Sequence, residues 1–125
     1  MKSKTIVIVE DDAGVTKVLE RILGRRGYNT LKALDGKSGL EMIILTRPDA
    51  VLLDIRMPIL QGYDVCRYIR SRWELRGTKV IVCSGLGLPS DIEWARSAGA
   101  DDYLIKPFEE DELLEKLDRH LSSGR

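Results

Sequence analysis

Short apolar runs punctuate the chain, and stretches of helical periodicity separate them. Thr5–Val9, Ala50–Leu53, Lys79–Cys83 and Asp101–Ile105 are bounded by turn residues or charges. Such runs predict buried strands, and the first and Ala50–Leu53 are the most continuously apolar, hence central. Tyr28–Leu34 carries Asn29, Thr30 and Lys32, which predicts a strand at the sheet edge. Between the runs the spacing predicts five helices. Gly14–Arg26 turns Val15, Val18, Leu19, Ile22 and Leu23 to one side, and Lys37–Thr46 does the same with Leu40, Ile43 and Ile44. Gly62–Arg72, extending as far as Glu74, places Val65 and Ile69 inward; a fourth helix runs from Pro89 to about Ala98. Glu109–Leu121 carries a stripe of Leu113, Leu114, Leu117 and Leu121. Asp11 or Asp12 can cap the first helix. Gly27 and Gly99 stop helices, Pro89 suits a first helical turn, and Arg47-Pro48-Asp49 breaks the second helix.

Five strand–helix units in alternation predict an α/β fold, with a parallel sheet covered by helices on both faces. Right-handed crossovers place every strand-to-helix loop at one end of that sheet. The polar residues that close the runs therefore converge. Glu10-Asp11-Asp12 follows the first run, Asp54 follows Leu53, Ser84 follows Cys83, and Lys106 follows Ile105. Their common rim is where open α/β sheets bind ligands.

Composition narrows the chemistry. The 125 residues, 43% of them hydrophobic, fit one globular domain. Twenty basic and twenty acidic residues cancel, so no bulk field draws the chain to nucleic acid or a membrane. Cys66 and Cys83 form no secreted disulfide framework. Met1-Lys2-Ser3-Lys4 leads into too few apolar residues for a signal peptide or a spanning helix; a reducing cytoplasm is the expected compartment.

Asp11 and Asp54 in one crevice repel each other unless a cation or protons intervene. His120 is alone, which argues against zinc. A hard divalent ion such as Mg²⁺, with Mn²⁺ as a substitute, suits oxygen ligands. The plainer alternative is that Glu10 and Asp12 only cap the first helix. A phosphoryl group added to this rim finds a nucleophile in Asp54, an ammonium in Lys106 and a hydroxyl in Ser84. Lys106 alone would read as a surface lysine, but Pro107 fixes its loop, and a cis Lys106–Pro107 bond would aim it inward.

The chain resembles the receiver domain of two-component response regulators, from Thr5 to about Leu121. Glu10-Asp11 match the family's acid pair. Leu52-Leu53-Asp54-Ile55-Arg56-Met57-Pro58, with Gly62 behind, matches its phosphorylation motif, and Gly99 to Phe108 matches its closing motif. The resemblance implies a CheY-like, flavodoxin-like three-layer sandwich with a doubly wound five-stranded sheet in the order 2-1-3-4-5. It divides the chain into a receiver domain, residues 1–121, and a tail or linker stub, 122–125. It implies that Asp54 takes a phosphoryl group from a histidine kinase or histidine phosphotransfer protein, while the domain catalyses only its own phosphorylation and slow dephosphorylation. Asp11, Asp54 and the backbone carbonyl of Arg56 would ligate Mg²⁺, with Glu10 acting through water. Ser84 and Lys106 would hold phosphate oxygens; Ser84 and Tyr103 would switch; Met57, Pro58, Gly62, Gly85 and Pro107 would shape the loops.

The family's histidine donor would meet Gly14, Val15, Val18 and Pro107-Phe108. A homodimer partner or downstream protein would meet the fourth helix, fifth strand and fifth helix. Trp94 on that fourth helix is either core filler or a contact residue, and Trp73 is expected to pack locally. Arg56 and Leu86 would overhang the phosphate and hinder water. Two alternatives remain: a Mg²⁺-dependent phosphohydrolase, which lacks the needed second acid after Asp54, and a degenerate receiver, against which the intact Asp11, Asp54, Ser84 and Lys106 argue. The chain is expected to be a stand-alone receiver or the first piece of a longer protein.

Overall fold

The computed structural model describes residues 3–55, 62–85 and 87–121. Its elements alternate as the periodicity predicts: β1 (Thr5–Val9), α1 (Ala13–Arg25), β2 (Asn29–Ala33), α2 (Gly36–Thr46), β3 (Ala50–Leu53), α3 (Gly62–Ser71), β4 (Lys79–Ser84), α4 (Pro89–Ser97), β5 (Asp102–Ile105) and α5 (Glu110–Leu121). The strands form one parallel sheet in the order β2-β1-β3-β4-β5. After β1 the chain moves outward to β2 and then crosses back to β3. The sheet thus has its switch point between β1 and β3, where a crevice opens beyond the strand ends.

Side-chain alternation divides the central strands between two cores. Val7, Val9, Val51, Leu53, Val80 and Val82 pack with Ile43 of α2, Val65 and Ile69 of α3 and Ala95 of α4. Ile6, Ile8, Leu52 and Ile81 face the other way, against Leu19 and Leu23 of α1 and Leu113 and Leu117 of α5. Burying a large aliphatic side chain is worth about 1.5–3 kcal/mol, so a one-residue register slip in β1 or β3 would exchange the residues of the two cores.

Local chemistry sets the element ends. The Asp12 carboxylate caps α1, accepting from the Gly14 and Val15 amides at 2.8 and 3.2 Å. Asp35 caps α2 by accepting from the Ser38 amide at 2.7 Å. α2 ends with Arg47 in the left-handed region, φ 47°, where a residue with a Cβ is uncommon. α3 stops at Ser71, short of the expected Arg72 or Glu74. Arg72 is extended, and a single 3-10 turn, Trp73–Leu75, follows and buries Leu75 completely. Trp73 is 72% exposed, and its packing is local, with the Arg76 guanidinium stacked over its ring at 3.5 Å. Cys66 and Cys83 are free, buried thiols, and burial pushes them up to about 11 and about 12. Among the described residues no helix is long and apolar enough to cross a membrane.

Candidate phosphoacceptor site

Four strand ends build one rim. Glu10 follows β1, and its amide donates to the Ala33 carbonyl of β2 at 3.1 Å. Asp54 follows β3, and its amide donates to the Val9 carbonyl at 3.0 Å. Ser84 is the last residue of β4. Lys106 follows β5, and its amide donates to the Ser84 carbonyl at 2.8 Å. Each side chain is thus carried on backbone bonded into the sheet, the rigid mounting that a reacting centre needs.

Carboxylate oxygens of Glu10, Asp11 and Asp54 all lie within 4.8 Å of one another. Glu10 and Asp54 are buried, and Asp11 is exposed at the mouth. Lys106 Nζ donates to Glu10 Oε1 at 2.5 Å and to Asp54 Oδ2 at 3.4 Å. Burial pushes the Glu10 carboxyl above its ordinary range, and the Asp54 charge adds to that against the pull of Lys106. Burial opposes the Lys106 charge, but Glu10 and Asp54 outweigh it and hold the ammonium above its ordinary value. Among the described residues the cluster has one cation, Lys106, for its three acids. Its donors are all oxygens, while both thiols are packed in the two cores and His120 is engaged by Asp102 at 3.0 Å. That donor set fits a hard divalent cation.

A family profile described as the response regulator receiver domain matches residues 6–118. The chain belongs to that family. Among curated relatives, the receiver is 41% identical over 112 residues to response regulator MprA of Mycolicibacterium vanbaalenii, covering 90% of this chain and 48% of that protein. It is 42% identical over 115 residues to MprA of Mycobacterium ulcerans, covering 92% and 49%. The receiver therefore spans about half the length of these relatives. Among solved structures, a putative response regulator from Chloroflexus aurantiacus superposes with TM-score 0.92 at 33% identity, covering 97% of this chain and 99% of that one. The receiver domain of sensor histidine kinase PA1611 from Pseudomonas aeruginosa, with a magnesium ion coordinated in its active site cleft, gives TM-score 0.89 at 34% identity, covering 98% and 100%.

The receiver brings Glu10, Asp11, Asp54 and Lys106 together and places Ser84, 1% exposed, at the neighbouring strand end. Asp12 instead caps α1, as the plainer alternative had it. Gly62 opens α3 directly behind the acceptor: its amide donates to the Ile55 carbonyl at 2.9 Å, and a Cβ there would collide with the Asp54 carbonyl and Ile55 Cα. Gly85 is exposed with no neighbour near its Cβ position. Lys106–Pro107 is cis. The half-buried Tyr103 phenol shares a hydrogen bond with Ser84, and burial raises its pKa despite that bond. Arg56, Met57, Pro58 and Leu86 lie outside the described residues.

Two further arrangements leave no mark in the sequence. Tyr63 of α3 stacks on Trp94 of α4, ring centroids 5.2 Å apart, and its hydroxyl donates to the Asp91 carbonyl at 3.3 Å. Asp102 accepts from Lys116, Arg119 and the Tyr103 amide at 2.8–2.9 Å. Burial alone would raise the Asp102 carboxyl. Hydrogen bonds from His120, Lys116 and the Tyr103 amide overcome it and hold the group well below the usual carboxylate range.

Proposed function

We propose that Asp54 accepts a phosphoryl group from a phosphohistidine donor, in a reaction that Mg²⁺ supports. The observation that carries this reading is the three-carboxylate cluster with Lys106 set over two of its members. An Asp54 oxygen attacks phosphorus in line, an O–P bond forms, and the N–P bond to the donor imidazole breaks. The imidazole nitrogen keeps the bonding pair and takes a proton from water. Lys106 and the Ser84 hydroxyl hold the equatorial oxygens as charge spreads onto them. Asp11 and Asp54 would hold the cation, with Glu10 acting through water and the Arg56 carbonyl as a further ligand, and the bound ion would supply positive charge to the phosphoryl oxygens. Asp54 itself needs no base, because an ionised carboxylate is already the nucleophile. The same domain catalyses its own slow dephosphorylation and no reaction on another substrate.

The donor is a histidine kinase or phosphotransfer protein, a class supported by similarity to receivers named as parts of histidine kinases. Its docking face is the apolar groove between α1 and the loop after β5, lined by Val15, Val18, Pro107 and Phe108, with Val18 half-exposed. The α4–β5–α5 face passes the signal to a homodimer partner or a downstream protein in the cytoplasm, and residues 122–125 are a tail or linker to whatever follows. The test is phosphorylation with acetyl phosphate. Intact mass should rise by one phosphoryl group only with Mg²⁺, and D54A should stay unmodified. Equal Mg²⁺-dependent uptake by D54A would remove the assignment.

A further inference from the structure

Although the chain has no net charge, its charges are segregated. Residues 67–79 hold Arg67, Arg70, Arg72, Arg76 and Lys79 against Glu74; Arg70 pairs with Asp101 and Arg72 with Glu74, so Arg67, Arg76 and Lys79 carry the patch's net positive charge. Residues 109–118 hold six acids against Lys116 alone. Each segment also carries a shape. In the first, the Trp73 ring projects with Arg76 stacked on it at 3.5 Å, and Arg72 lies over the ring of Tyr68, 5.6 Å from its centroid. In the second, a shallow hollow opens between the end of α1 and the outer side of α5, lined by Arg26, Asp111, Glu112, Leu114, Glu115 and Asp118. Leu114 is its apolar member, and its rim carries Asp111, Glu112, Glu115 and Asp118, the last paired with Arg26. Trp73 lies between α3 and β4, at the end of the sheet away from Asp54, while the hollow belongs to the layer of α1 and α5 on the other sheet face.

We propose that Trp73 and its arginines dock into the α1–α5 hollow of a second copy of this chain. The charge signs match, and the apolar ring meets the one apolar residue of the hollow. Tryptophan and arginine are the side chains that most often dominate interface energies. Zero net charge removes the long-range repulsion that would keep like copies apart. Because the two patches differ and lie on different faces, the contact is head-to-tail and propagates unless a ring closes. It leaves the Asp54 rim uncovered and is independent of phosphoryl transfer.

Sedimentation velocity on the 125-residue chain, over a dilution series at low and high salt, tests this. The sedimentation coefficient should rise with concentration at low salt, and association should weaken roughly tenfold at high salt as the ion pairs are screened. W73A should abolish it without altering the circular dichroism spectrum, because the ring is exposed. If W73A melts early, R76E reads the same surface. The decisive arm mixes W73A/R76A, which lacks the knob, with E112K/E115K, which lacks the acidic rim. Each alone should be monomeric, and the mixture should form a one-to-one dimer and stop there. A wild type that is monomeric throughout, association that survives W73A and R76E, or a mixture that stays monomeric would overturn the proposal.

Discussion

Lys106 Nζ lies 2.5 Å from Glu10 and 3.4 Å from Asp54, on the carboxylates a divalent cation needs. The ammonium and the cation therefore compete for charge before any phosphate arrives, and cooperate once it does. Removing the lysine should have opposite effects on the two steps. In K106A, Mg²⁺ should bind roughly tenfold more tightly, the equivalent of about 1.4 kcal/mol, because a neighbouring positive charge is gone. Phosphoryl uptake from acetyl phosphate should slow by at least that factor, because the equatorial oxygens lose their counter-charge. In a chelating buffer K106A should be about 1–3 kcal/mol less stable than wild type, since buried Glu10 loses its hydrogen-bonded partner. Titration calorimetry and time-resolved intact mass read the two effects separately. A parallel fall in affinity and rate would mean that Lys106 only holds the site's shape.

The elements meet at two places where one residue governs the join. At the start of α3, Gly62 lets the helix press against the backbone carrying Asp54. G62A should cost about 1–3 kcal/mol, as overpacking does, and should slow phosphorylation although no reacting group is touched; urea unfolding beside a phosphorylation time course separates the two. At the join of β5 and α5, Asp102 gathers Lys116, Arg119 and His120. Its native pKa lies below the unfolded value of about 3.9. Its contribution is therefore fully present above that unfolded value and is lost as pH falls toward the native one. D102N should be destabilised by about 1 kcal/mol at neutral pH, a modest figure because solvent screens the cluster. The gap to wild type should begin to close as the pH falls below about 4. A gap that stays constant on acidification would mean the Asp102 charge is not what joins these elements.

These joins also mark where the sequence stops being readable. Apolar runs located every strand to within about two residues, because burial on both sheet faces leaves a continuous signature. The acids, Ser84 and Lys106 were legible because strand ends share a rim whatever the helices do. Asp102 was not: beside Asp101 it reads as an ordinary surface acid until α5 brings Lys116, Arg119 and His120 to it. The Tyr63–Trp94 stack joins residues on different helices with no periodicity between them. The early stop of α3 at Ser71 goes with the burial of Leu75 just beyond it, a tertiary demand that overrides local propensity.

Across the whole molecule, the rim and the α4–β5 face share residues rather than lying far apart. Ser84 ends β4 at the phosphate side, and its side chain is hydrogen-bonded to Tyr103 of β5. α4 begins five residues later at Pro89 and carries Trp94, which is 55% exposed and stacked on Tyr63 of α3. The family resemblance implies that Ser84 and Tyr103 switch. In this conformer Tyr103 already bonds Ser84, so a phosphoryl group that draws the hydroxyl inward acts on a group Tyr103 also holds. A ligand shifts such an equilibrium only by binding one packing better than the other, and the Ser84 hydroxyl is where phosphate can distinguish them. Beryllofluoride with Mg²⁺, a mimic of phosphorylated Asp54, should move the amide signals of α4 and β5 and the indole signal of Trp94, while α2 stays unmoved. In W73F, where Trp94 is the remaining tryptophan, its emission should change on addition of the mimic, and D54A should abolish the response. S84A should bind the mimic more weakly and leave Trp94 unresponsive even at saturation. Full movement of Trp94 in saturated S84A would show that the signal leaves the rim by a route other than the Ser84–Tyr103 bond.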